Sequence, residues 1–392
     1  MQNAYIIAGY RTAVGKAKKG GFRFTQPVDL AADVINHLMK SVPNLDPTLV
    51  DDLIVGNAVP EAEQGLQMAR WVGIRSNLPV EVPGVTVNRY CGSGVESIAL
   101  ATAKIQSGMA DVIVAGGTES MSLVPTIGYK TVPNYEVAKE HPDYYIGMGL
   151  TAEEIASKYK ISREDQDEFS YQSHMKAIDA IENGRFKDEI VPVEIEEVYY
   201  DNGKRSNRTF TVDTDEGPRK DTSVDVLAKL RPVFKQGGSV TAGNSSQTSD
   251  GAAFVVVVSE SKLKELNIDP IARMITVASV GVNPRIMGIG PVEAIPKALK
   301  QANMKLSDID LIELNEAFAA QSLAVIREAG LNPEITNVNG GAIALGHPLG
   351  CTGTKLTVQI LNELRRRKKK HGLVTACIGG GQGIAAVYEL LN

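Results

Sequence analysis

The stretch VPGVTVNRYCGSGVESIALATAKIQSGMADVIVAGG, residues 82–117, decides the fold. Its opening, Val82–Val87, is rich in β-branched residues and reads as a strand. From Ser93 to Gln106, Val95, Ile98, Ala99 and Ile105 fall at helical spacing, and Gly108 stands where such a helix stops. Asp111–Ala115 (DVIVA) reads as a buried strand closed by Gly116-Gly117. Strand, helix and strand in succession predict a mostly parallel sheet covered on both faces, an α/β fold.

The same plan recurs later in the chain. Asp52–Ala58 has a counterpart in Asp310–Glu316, Val87-Asn88 in Val338-Asn339, and Asp111–Ala115 in Leu373–Ile378, which again ends in glycines. Matched segments in one order point to duplication of a βαβ-rich unit. Between the halves the texture changes. Residues 118–150 are rich in Pro, Gly and Tyr, Glu153–Ile181 is a charged helical stretch, and 194–225 is polar and mixed. A long excursion of this kind is expected to cover a site or build an oligomer contact. The expected division is 1–117 with 251–268 as the first half, 118–250 as the insertion and 269–392 as the second half.

Composition narrows the function. Lys and Arg number 41 against 46 Asp and Glu, so 41 − 46 gives a net charge of −5, which argues against a nucleic-acid binder. Three cysteines rule out a disulfide framework and point to a reducing compartment. Met1–Gly9 reads as a short strand rather than a signal peptide. The most apolar run, Ala252–Val258, is seven residues, against the roughly 20 that span a bilayer. The expectation is a soluble cytoplasmic protein without membrane insertion. Glycine, at 37 residues, is in excess.

Three residues could carry chemistry. Cys91 lies between strand and helix, where the helix dipole and free N–H groups are expected to lower its pKa, with Gly92 and Gly94 clearing a substrate's path. His347 sits in a loop of small residues, GGAIALGHPLG, and its titration range suits a general base. Cys377 ends an apolar strand and opens onto Gly379-Gly380-Gly381, where ligands of such sheets gather. No metal site is expected, because His347 and Cys351 have no further ligands near them in sequence. The glycine run lacks dinucleotide-binding spacing and leads into a strand. The basic run Arg365–Lys370 reads as a solvated helix end.

These motifs resemble those of the thiolases nearly end to end: NRYCGSG around Cys91, NEAFA at 315–319, GGAIALGHPLG around His347 and CIGGGQG around Cys377. The resemblance implies the thiolase fold, two duplicated βαβαβαββ halves in five αβαβα layers with an inserted loop domain. It implies that Cys91 is the nucleophile that carries the acyl group, that His347 is its base, and that Cys377 moves the second proton. One oxyanion hole would use His347 with a water positioned by Asn315. The other would use the backbone N–H groups of Cys91 and Gly379. Arg219, Ser246, Met148 and Phe318 are the implied substrate contacts, with coenzyme A as co-substrate and no permanently bound cofactor.

Biosynthetic thiolases typically carry His-Met-Gly before Thr-Ala-Glu. Here the residues are Gly147-Met148-Gly149-Leu150-Thr151-Ala152-Glu153, which favours the degradative type, thiolysis of 3-ketoacyl-CoA to acetyl-CoA and a shortened acyl-CoA in fatty acid β-oxidation. The alternative is acetoacetyl-CoA synthesis from two acetyl-CoA. A ketoacyl synthase is disfavoured by Cys377, and a non-catalytic acyl-CoA-binding relative by the presence of all three reactive residues. A homodimer or homotetramer is implied, with a β-oxidation partner subunit as a further possibility.

Overall fold

The computed structural model describes residues 2–391. Met1 of the expected first strand lies outside them, and the strand runs Ala4–Thr12. In the first half the strand order is Gly84–Val87, Asp52–Gly56, Val112–Ser120, Ser249–Ser259 and Ala4–Thr12. In the second half it is Leu311–Leu314, His371–Ile378, Gln382–Leu390 and Ala272–Gly281. The two orders match, except that Val338-Asn339 forms no strand and Thr336 bridges Ile312 singly in its place. One residue pair, Ile6 with Ala272, joins the two sheets.

The sheets are mixed rather than mostly parallel. Asp52–Gly56 pairs in parallel with both neighbours, but Ser249–Ser259 and Gln382–Leu390 run antiparallel to theirs. Gln382–Leu390 returns directly from Ile378 through a glycine turn, which only an antiparallel pair allows. Strand ends correct the repeat by one residue. The Asp51 carboxylate accepts the N–H groups of Asp111 and Val112 at 2.7 and 2.9 Å, as Asp310 accepts those of Lys370 and His371 at 3.0 and 2.9 Å. Asp51, not Asp52, therefore matches Asp310, and Gly56, not Asn57, stands opposite Asn315.

Apolar faces stack the elements into five layers. Pro27–Ser41 and Met68–Arg75 pack on the outer face of the first sheet through Leu30, Val34, Met68 and Val72. Gly290–Ala302 packs on the outer face of the second through Ala294, Ile295 and Leu299. Between the sheets lie Ser93–Gln106 and Leu349–Arg367, whose Ile98, Ile105, Leu356 and Ile360 share one core with Val255, Val257, Val374 and Ala386.

Glycines let these layers meet. A Cβ on Gly94 would lie 2.5 Å from the Thr354 nitrogen, one on Gly353 2.3 Å from the Val95 nitrogen, and one on Gly117 2.0 Å from the Gly350 carbonyl oxygen. Gly116-Gly117 do not close their strand, which continues to Ser120. Nor do Gly92 and Gly94 clear a substrate's path: a Cβ on Gly92 would strike Ile378 of the second sheet at 2.6 Å, so Gly92 serves packing of the turn against that sheet and Gly94 packing of the two central helices.

The excursion leaves after Ser120 and returns at Ser249. The helical stretch expected over Glu153–Ile181 is two helices, Met148–Lys158 and Arg163–Glu182, broken where Lys160 takes a φ of 52°. The polar stretch contains a hairpin, Val193–Asp201 with Lys204–Val212. Buried Arg11 ties the insertion down. Its guanidinium holds Glu189 at 2.7 Å and Asp215 at 2.7 and 2.9 Å, over the Phe186 ring. No helix among the described residues is long and apolar enough to cross a membrane.

Candidate active site

Cys91 stands in a tight turn between strand Gly84–Val87 and helix Ser93–Gln106. Tyr90 before it takes a left-handed φ of 44°, a conformation that costs a non-glycine residue energy and is held from outside. Asn88 Oδ1 accepts the Tyr90 N–H at 2.8 Å, and Ser93 Oγ accepts the Arg89 N–H and donates to the Tyr90 carbonyl at 2.7 Å. Arg89 reaches Glu96 at 2.8 Å and Gln382 at 3.2 Å, fastening the turn to the loop after Cys377.

The thiol pKa is not lowered, as its place at a helix start predicts, but raised. Burial pushes the Cys91 thiol up to about 11. The N–H groups of Gly379 and of Cys91 itself act on the sulfur in the opposite direction, and the nearby Glu119 carboxylate raises it further. Removal from water outweighs the favourable dipoles.

His347 precedes the second central helix and is 4% exposed. Gly346, at a φ of 100°, turns the chain where any side chain would strike Ser249 Oγ at 2.2 Å. The His347 N–H donates to the Gln247 carbonyl at 3.1 Å. Its ring Nδ1 lies 2.6 Å from Thr352 Oγ1, and that hydroxyl donates its only proton to the Pro348 carbonyl at 2.9 Å. Thr352 is thus left as acceptor, which assigns the proton to Nδ1 and leaves Nε2 bare. Asn315 Nδ2 faces Nε2 at 3.3 Å. Burial, then the charge of Lys355, pushes the imidazole down to about 3, so it stands neutral at rest with Nε2 unprotonated.

Cys377 is fully buried among Ala152, Val240, Met287, Ala317 and Phe318, with Met148 against them. Burial, and then Cys91, raise its thiol well above the ordinary range. Gly379, two residues on, is bordered by Met148 Sδ and the Tyr90 ring. Gly381 beyond it has a φ of 83° and would strike the Val282 carbonyl oxygen at 2.4 Å if it carried a Cβ.

The structure thus brings Cys91, Cys377, Gly379, Met148 and Phe318 together, and pairs His347 with Asn315. The Asn315 Oδ1 atom is buried without a partner. Ser246, partly exposed, donates its N–H to the Ala317 carbonyl at 2.9 Å beside Phe318. The Arg219 guanidinium reaches outward to Asp221 at 3.5 Å, while its N–H donates to His174. Gly147 is exposed with open space where a side chain would stand.

Sequence reasoning missed Thr352, Phe234, Met287 and Glu119. Phe234 meets Phe318 edge to face at 6.1 Å, and Gly149 lets it approach. An aromatic residue in the loop RPVFKQGG was the available signal.

The N-terminal thiolase domain model matches residues 4–261 and the C-terminal thiolase domain model residues 268–390. A 3-ketoacyl-CoA thiolase of Bacillus subtilis (strain 168) is 53% identical over 392 residues, covering 100% of both chains. An acetyl-CoA acetyltransferase of Pseudomonas aeruginosa is 46% identical over 98% of each. Among solved structures, Bacillus anthracis acetyl-CoA acetyltransferase aligns with a TM-score of 0.90 and human mitochondrial 3-ketoacyl-CoA thiolase with 0.89. Each is 40% identical and covers 100% of this chain and 99% of the other.

Proposed function

This chain belongs to the thiolase family, and on that premise we propose that it cleaves 3-ketoacyl-CoA with coenzyme A, giving acetyl-CoA and a shortened acyl-CoA. The single observation that carries the reading is the convergence of two cysteines on one glycine loop, with a neutral, tautomer-fixed histidine preceding the neighbouring helix.

The chemistry follows from these states. Cys91 at rest is a thiol, so His347 Nε2 takes its proton as the sulfur attacks the 3-keto carbon. The carbon–carbon bond to the acetyl-CoA portion breaks and leaves an acyl group on Cys91. Cys377 gives its proton to the departing acetyl-CoA carbon, a task that suits a group firmly protonated at rest. Coenzyme A then attacks the acyl-cysteine, its thiol proton going to the Cys377 thiolate; the bond to the Cys91 sulfur breaks, that sulfur regains its proton from His347, and the shortened acyl-CoA leaves with both cysteines again thiols. Oxyanions along this path would be held by the N–H groups of Cys91 and Gly379, and by His347 with a water on Asn315, whose buried Oδ1 supports that role. Met148 and Phe318, with Phe234 and Met287 beside them, would line the acyl channel. Ser246 and Arg219 would meet coenzyme A further out. The steps are proton transfers, one retro-Claisen carbon–carbon cleavage and a thioester exchange, for which two thiols, an imidazole and the oxyanion donors would suffice without a resident cofactor.

The open space at Gly147 supports the degradative reading over acetoacetyl-CoA synthesis. For assembly we favour a homodimer through the free edge of Gly84–Val87, flanked by exposed Trp71 and Ile74. The exposed Ile127, Tyr129, Val132 and Tyr135 of the insertion would form a second contact. Solution mass measurement tests both.

The decisive experiment compares kcat/KM for thiolysis across 3-ketoacyl chain lengths, with Cys91→Ala as control. Activity on medium and long chains that vanishes in Cys91→Ala is expected. Strong preference for the four-carbon substrate overturns the degradative reading, and turnover surviving in Cys91→Ala overturns the mechanism.

A further inference from the structure

Glu119, 1% exposed near the end of strand Val112–Ser120, takes no part in the chemistry above, yet it is linked to both turns that do, to one directly and to the other through two residues. Its Oε2 accepts the N–H groups of Ala58 and Gly350, each at 2.8 Å, and its Oε1 accepts from Gln64 Nε2 at 2.7 Å. Gly350 is the second residue of the helix that follows His347, and the capping residue there, Pro348, offers no side-chain acceptor. A helix start leaves N–H groups unpaired and favours negative charge. Here that charge arrives from the opposite half of the molecule.

The other contact leads to the nucleophile. The Ala58 carbonyl accepts Asn88 Nδ2 at 3.0 Å, and Asn88 Oδ1 holds the N–H of strained Tyr90 at 2.8 Å, one residue before Cys91. One carboxylate therefore anchors the His347 turn directly and the Cys91 turn through two residues. Gly350 permits the approach, since a Cβ there would lie 2.8 Å from Glu119 Oε2. The Ala58, Gly350 and Gln64 donors, with the Val59 N–H acting on it as well, converge on this group against the burial that raises its pKa, and such a set of donors demands an acceptor-only side chain. A glutamine would turn an N–H against one of them.

We propose that Glu119 is a positioning residue that sets the His347 imidazole against the Cys91 thiol by holding both turns from one carboxylate. This rests on the reading of Cys91 and His347 as nucleophile and base. Its charge has a second effect. The Glu119 carboxylate raises the Cys91 thiol, so removing its charge makes that thiol easier to ionise, while Cys91 in turn raises the buried Cys377 thiol.

The test measures kcat and KM for thiolysis, and the pH dependence of Cys91 alkylation by iodoacetamide, in Glu119→Gln and Glu119→Asp enzymes with native circular dichroism. Glu119→Gln should lose roughly a hundredfold in kcat, the scale of a 1 Å misplacement, with KM little changed and the alkylation midpoint moved to lower pH. Glu119→Asp keeps the charge but is too short to span both N–H groups, so kcat falls while the midpoint stays. A folded Glu119→Gln enzyme with wild-type kcat, or with an unmoved alkylation midpoint, overturns the proposal. If Glu119→Gln does not fold, Gln64→Leu, which frees one carboxylate oxygen, carries the test: a several-fold fall in kcat is expected, and unchanged kcat overturns it. Cys91→Ala reports separately on the underlying reading, because turnover there removes the nucleophile whatever Glu119 does.

Discussion

Cys91 and His347 stand at the same place in the two halves, each one residue ahead of the residue that caps its central helix: Gly92 before Ser93–Gln106 and Pro348 before Leu349–Arg367. On the proposed mechanism, the duplicated plan supplies the nucleophile from one copy and the base from the other. The two central helices pack against each other, so helix packing sets the coarse placement of the two turns, and the Glu119 carboxylate ties them together.

The state of the thiol sets its reactivity. With the Cys91 thiol raised to about 11, the protonated form persists through neutral pH, and the thiolate fraction grows roughly tenfold per pH unit below that value. Iodoacetamide alkylation of the free enzyme should therefore climb steadily from pH 7 to 10 without levelling. A plateau near pH 8 measured by mass spectrometry would contradict the account.

The proposed mechanism gives Cys377 the proton transfer to the departing acetyl-CoA carbon, separate from attack by Cys91. Cys377→Ser should still acylate at Cys91, seen as a mass increase on the Cys91 peptide, while overall turnover falls by about 10²–10⁴, the range for loss of a general acid. Unchanged turnover would remove Cys377 from the mechanism.

Thr352 holds the ring of His347 in one tautomer. Thr352→Val keeps the shape and removes the acceptor, leaving Nδ1–H unpaired in a buried site at a cost of about 1–3 kcal/mol. A ring free to change tautomer should lower kcat by about ten- to a hundredfold, with KM little changed and folding stability lower by about the same 1–3 kcal/mol. A wild-type kcat would show that the tautomer is set elsewhere.

Arg11 neutralises two buried carboxylates. Arg11→Ala strands Glu189 and Asp215 in the interior and should lower stability by about 3–5 kcal/mol. Urea unfolding measures it. The loss should be greatest at neutral pH and shrink on acidification, because protonation relieves the stranded charges.

Much of this was legible in the sequence, for physical reasons. The strand and helix around Cys91 announce themselves by periodicity, and the repeat by apolar runs ending in glycine. Three things were hidden. The one-residue offset of the repeat depends on which aspartate caps a strand end, and Asp51 and Asp52 look alike in a string. The raised Cys91 thiol depends on how much protein surrounds the sulfur, which spacing does not report. Thr352 and Glu119 act through contacts that only folding creates, Glu119 across 231 residues of chain. The glycines misled in an instructive way: Gly92 and Gly94 sit beside the nucleophile in sequence, but their missing side chains face Ile378 and the other central helix.

The seam of Gly94, Gly117, Gly350 and Gly353 bears on how this enzyme can diversify. Along it no atom can be added without driving the two halves apart, so the machinery at its end is closed to variation. The far wall, where Met148, Phe234 and Phe318 come from the insertion and the loop after Leu314, is under no such restriction. Selection for new acyl chains should therefore rewrite the wall and leave the seam untouched, and grafting a foreign half would succeed only with its own matching glycines.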